Sequence, residues 1–264
     1  MRVLVPAALF TVMASSAGAF GPAAHQAVTR AAIETLPKGL KPFYKAHRLE
    51  IPSLSLDAEW AEEGPERRFP VDRLLGFPFT DLPRSESATK ARHGEALGPA
   101  RLPWLIQEGH QRLVAAFQAR DKQKILAESD TLAGLVADLR NPLALSDNAD
   151  GQKTGQHGLF VRFCGRLPEV MGARLKLEPD AARFLDDPKE YVFSIVNGTY
   201  VWLDNLLYEE DLARRGQSGY GERYYEALEL RSGRLLRQLL SSAAQDAGSY
   251  WYTAWTQAGR PPLP

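Results

Sequence analysis

One cysteine, Cys164, in 264 residues excludes any disulfide within the chain. Excess charge of either sign is also missing. The 32 basic residues balance the 32 acidic ones, so charge alone draws the chain neither to nucleic acid nor to an acidic membrane. No apolar run beyond the N-terminal region approaches the length of a transmembrane helix. There is no glycine-rich phosphate loop, no Gly-x-Ser-x-Gly elbow, no internal repeat and no sustained β alternation. Ser218-Gly219-Tyr220-Gly221 reads as a loop between helices.

What remains is an ordinary globular composition, 44% apolar and 24% charged, which is enough for one large domain. The first residues follow an export pattern. Arg2 gives a positive start, residues 3–13 are apolar, and Ala17-Gly18-Ala19 fits the small-residue cleavage rule. The apolar run is too short to span a bilayer comfortably. The expectation is a signal peptide over 1–19, cleaved after Ala19, and a mature domain over 20–264 beginning at Phe20. A lone cysteine then suits a bacterial periplasm or exterior.

Helical periodicity carries the rest. A helix is expected over 102–120, with Trp104, Leu105, Leu113, Val114 and Phe117 near one face. His110 is read as a face or core residue of it. Asp121 is expected to cap a helix over 122–141, in which Leu132, Leu135, Val136 and Leu139 recur at helical spacing around Asp138. Pro142 stands four residues after Asp138 and should end or kink that helix, because its ring clashes with the Asp138 carbonyl. A short helix or turn is expected over 38–49, and further helices over 179–185, 188–207, 222–242 and 248–258. The stretch 84–102 reads as an exposed polar excursion, and 146–155 as a loop. The total is an all-α domain of roughly eight to ten helices.

The run from Ala133 to Ala144, then Gly155-Gln156-His157-Gly158, then Arg166-Leu167-Pro168-Glu169, anchors a resemblance. Pro103-Trp104 and the close Trp251-Tyr252-Thr253-Ala254-Trp255 extend it over nearly all of the mature chain. The sequence resembles the zinc-dependent phospholipase C and single-strand nuclease superfamily, bacterial secreted branch. The fold this implies is a single multi-helix all-α domain. The activity it implies is phosphodiester hydrolysis by a three-zinc cluster.

The resemblance also says where the ligands would lie. One zinc would take the amine and carbonyl of Phe20, His25 and a bridging Asp138. A second would take Asp138, an upstream acid at Glu63, and histidines at the positions of Pro78 and Gly134. With a shift in register Asp57 or Glu62 could be that acid, and the whole acidic run also reads as a solvated face. The third would use the positions of Ala144, Phe160 and Cys164. Most of these residues cannot ligate a metal. The resemblance therefore implies a degenerate member with room for at most one zinc. It would act as a secreted, non-catalytic binding or structural module; the alternative is a weak single-zinc phosphodiesterase acting on phospholipid headgroups or single-stranded nucleic acid. Arg140, His157, Arg162 and Cys164 are the candidates for lining a remaining cleft. The two arginines there could hold a phosphate-containing ligand without metal.

Overall fold

The computed structural model describes residues 20–55 and 64–264. The expected signal peptide over 1–19, and Asp57, Glu62 and Glu63, lie outside the described residues. Within them the protein is one all-α domain with nine α-helices and no strand. No described helix is long and apolar enough to cross a membrane.

Two helices set the architecture. α5 (Lys122–Leu139) is amphipathic at first, but every residue from Leu132 to Leu139 is buried. A helix buried all round lies at the centre of its domain. α9 (Glu222–Gln257) has 36 residues, about 54 Å at the α-helical rise, and runs along the whole domain. α1 (Pro22–Thr35), α4 (Leu102–Ala119) and α8 (Leu203–Arg214) pack on α9, and α4 and α1 also pack on α5. Trp251 of α9 locks the junction. It stacks on Tyr44 with ring centroids 4.7 Å apart, and its indole N–H donates to the Ser129 carbonyl at 3.0 Å. Tyr44 belongs to the short α2 (Lys41–Ala46), and its hydroxyl shares a 2.7 Å hydrogen bond with Ser129 Oγ.

Several sequence expectations are corrected. The stretches 222–242 and 248–258 form one helix, because nothing between them stops it. Gly248, which looks like a boundary, is a packing residue: a Cβ there would stand 2.0 Å from Thr35 Oγ1 and 3.2 Å from the Ala32 carbonyl oxygen of α1. The stretch 188–207 is two helices, α7 (Pro188–Tyr200) and α8. Asn197, Gly198 and Thr199 are weak helix formers, and the turn after them swings α8 onto α9. Residues 179–185 form no helix. Their backbone N–H groups find hydroxyls on α9 in place of an internal ladder. Ser249 Oγ accepts from Arg183 N at 3.1 Å and Thr253 Oγ1 from Leu185 N at 2.9 Å. The excursion 84–102 contains α3 (Glu86–His93), N-capped by Ser85, whose Oγ accepts from Ala88 N at 3.1 Å.

α5 ends at Leu139, as Pro142 requires. The polar turns after it lead to a π-helical turn, Val161–Arg166, which runs into α6 (Leu167–Met171).

Candidate functional site

Asp138 is fully buried at the last turn of α5, and both its carboxylate oxygens are engaged. Oδ1 accepts from the backbone N–H of Phe20 at 2.9 Å and lies 3.1 Å from His25 Nε2. Oδ2 accepts from Arg67 Nε at 2.7 Å and pairs with Arg67 Nη2 at 2.5 Å. Phe20 and His25 are themselves buried, at 3% and 4% exposure. The sequence expectation that His25 sits close to Asp138 therefore holds.

Local structure explains how these groups meet. Gly21 is the N-cap of α1, which puts His25 in its first turn. The Gly21 N–H donates to the Cys164 carbonyl at 3.1 Å, pinning the entry of α1 to the π-helical turn. A Cβ on Gly21 would approach Gly165 Cα to 3.1 Å, so the close crossing requires glycine. Gly134 lies one helical turn before Asp138, on the same face of α5. A Cβ on Gly134 would come within 2.9 Å of Arg67 Nη2. The guanidinium therefore lies over Gly134 and clasps Asp138 from the side where the resemblance places a histidine and a second zinc. A planar cation with forked donors suits a buried carboxylate.

The residues do not fit the full cluster. At the second position Gly134 has no side chain, Pro78 is an exposed turn residue, and Arg67 already supplies the positive charge. At the third, Ala144, Phe160 and Cys164 are buried parts of the packed interior. Cys164 Sγ accepts from Asn141 Nδ2 at 3.1 Å, and burial pushes its thiol well up, so it is held as the neutral thiol and not as a thiolate ligand. The first position is different. Phe20 N and His25 Nε2 converge on one oxygen, at separations slightly under the edge of about 3.3 Å that tetrahedral zinc bonds imply. A free amine at Phe20 could join such a set, whereas a main-chain amide can only donate to Asp138. Among the described residues, no group of three or more His, Cys, Asp or Glu side chains is disposed to hold a metal.

The other candidates go elsewhere. Arg140 pairs with Asp246 of α9 at 2.6 Å. Arg162 is buried and ion-paired with Glu210 of α8 at 2.8 Å. It also donates to Tyr224 Oη at 2.9 Å, and its guanidinium stands 3.9 Å from the Tyr220 ring centre. Glu210 further accepts from Gln156 Nε2 at 2.6 Å and from the Tyr224 hydroxyl at 2.8 Å. This network ties the polar turns to α8 and α9 and leaves Arg162 committed. His157 is exposed and gives its carbonyl to Arg162 Nη1 at 2.6 Å.

The sequence reading gave Arg67 no role, and it missed Glu210 and Tyr224. Lost bulk at Gly134 was the signal that something else fills the space above it. No protein-family model and no curated protein matches the chain.

Proposed function

We propose that this protein is a helical domain of the phospholipase C and single-strand nuclease type in which an internal arginine stands in for most of the metal cluster. It works as an exported, non-catalytic binding or structural module, processed after Ala19. The observation that carries this reading is the Arg67 guanidinium clasping Asp138 above the bare Gly134. A zinc-assisted hydrolase needs an open metal position for water or substrate. Here the central carboxylate is fully buried and already neutralised by a fixed cation.

The test is a metal count and a hydrolysis assay on protein that starts at Phe20. The expected result is at most one zinc per chain and no efficient cleavage of phosphatidylcholine or single-stranded DNA with zinc supplied. Chelator-sensitive turnover comparable to an intact three-zinc enzyme would sink the proposal.

One observation favours the single-zinc alternative: Phe20 N and His25 Nε2 share Asp138 Oδ1. In that case zinc binding should weaken at acidic pH, since amine and imidazole must lose protons first. His25→Ala and Asp138→Asn should each weaken it, and an N-terminal tag should do so as severely by making the amine an amide. Cys164→Ser should leave it unchanged.

A further inference from the structure

The segment that follows α6 runs beside the middle of α9, and a cavity of about 540 Å³ lies between them. That size falls within the range of small-molecule sites, roughly 300–1,000 Å³. Both walls follow from the sequence pattern. In the segment, Leu175 and Leu177 pack on the core, while Arg174, Lys176, Glu178 and Asp180 line the cavity. On α9, Arg234, Arg237, Gln238 and Ser242 line it at helical spacing, and Leu235, Leu236, Leu239 and Leu240 take the buried side. Two anchors hold the walls together. Arg174 forks onto Glu229 at 2.9 and 2.8 Å, and Ser241 Oγ accepts from Glu178 N at 3.0 Å.

The charges inside are left open. Lys176, Arg234 and Arg237 line the cavity, and none of the three makes an ion pair or a side-chain hydrogen bond among the described residues. Arg234 and Arg237 are three residues apart on one helix face, so their like charges oppose each other. Glu229 feels the charge of Arg237, but both its oxygens are already held by Arg174. Glu178 and Asp180 share the lining and make no ion pair either. Their charge repels a long polyanion. A compact anion can instead sit against the two guanidinium groups, whose forked donors match the oxygens of phosphate and carboxylate.

We propose that this cavity binds a small molecule through a compact, multiply charged anionic group, phosphate or carboxylate. Arg234 and Arg237 hold the group from α9, and Lys176 holds it from the opposite wall. The site shares no residue with the groups around Asp138 and asks nothing of a metal.

The probes are inorganic pyrophosphate and succinate, titrated calorimetrically into the full chain at physiological salt, with a thymidine oligonucleotide as the long polyanion. One of the two small anions should bind saturably, one per chain, and more weakly as salt is raised. Tighter pyrophosphate points to a phosphate ligand, and tighter succinate to a dicarboxylate. Arg237→Gln should lower the affinity of the better probe about tenfold, the scale of one hydrogen bond to a charged group. Arg223→Gln removes the same charge from α9 outside the cavity and should leave the affinity unchanged. Glu178→Gln should tighten binding by removing a like charge. The proposal fails if neither small anion saturates, or if the oligonucleotide binds more tightly than both. It also fails if Arg223→Gln weakens binding as much as Arg237→Gln, because net charge and not a site would then be responsible. The titration of the natural chain decides the matter even if a variant does not fold.

Discussion

α5 carries two aspartates, Asp130 and Asp138, about two turns apart, and the protein treats them in opposite ways. Among the described residues, the hydrogen bonds to Asp130 come from neutral donors. Ser53 N donates to it at 2.8 Å, Thr29 Oγ1 at 3.3 Å, and Ser53 Oγ also donates. Burial dominates over these bonds and raises its carboxyl above the ordinary aspartate range. Asp138 is more deeply buried and is met by a guanidinium. Neutral hydrogen bonds soften the loss of water around a carboxylate, whereas a fixed cation also supplies the opposite charge. The first arrangement belongs to helix packing. The second matches a buried carboxylate to a fixed guanidinium.

The largest way to break this comparison is Arg67→Met, which leaves Asp138 buried beside a thioether. Removing one partner of a buried pair costs about 3–5 kcal/mol, to be read from urea unfolding at neutral pH. Arg67→Met with Asp138→Leu should recover much of that loss, because no lone charge remains. A single-variant loss below about 1 kcal/mol, the scale of an exposed ion pair, would show that the guanidinium does not neutralise Asp138.

Glu210→Gln sharpens the contrast from another buried acid. Gln156, Tyr224 and Arg162 all donate to Glu210, but Arg162 also has the carbonyls of Gln156 and His157, at 3.0 and 2.6 Å. The cation therefore keeps partners when the charge is removed. The expected loss is about 1.5–3 kcal/mol, the scale of hydrogen bonds to a charged group. A loss above that of Arg67→Met would reverse the ranking and place the most critical ion pair at Glu210.

Much of the fold could be read from the residues. The apolar spacing of Trp104, Leu113 and Phe117 marked α4, and Pro142 marked the end of α5. The segment 179–185 could not be read, because its hydrogen-bond partners are α9 hydroxyls more than 60 residues away. The break after Tyr200 was hidden by apolar residues that keep helical spacing across it. At the candidate site His25, Asp138 and the empty position at Gly134 were legible through the resemblance. Arg67 as its occupant was not, because an arginine beside an acidic run has the pattern of a solvated surface. Only the distance to Asp138 distinguishes a buried clasp from that surface.

The smallest effect should come from Asp130→Asn, and its sign carries the argument. In the folded protein Asp130 binds its proton more readily than an unfolded aspartate does. Its contribution to stability is therefore complete below the ordinary aspartate range and is lost as pH rises through the raised folded value. Asparagine cannot ionise. Its Oδ1 can accept from Ser53 N, and its Nδ2 can donate to the hydroxyls of Ser53 and Thr29, which turn to accept. The variant should stay within about 1 kcal/mol of the natural protein, and the difference should move in its favour from acid toward neutral pH. Urea unfolding of both proteins across that window measures the slope. Asp138→Asn should do the opposite at neutral pH, because it withdraws the carboxylate from Arg67. If both asparagine variants lose stability alike as pH rises, the two carboxylates do not differ in kind, and Arg67 is only another hydrogen-bond donor.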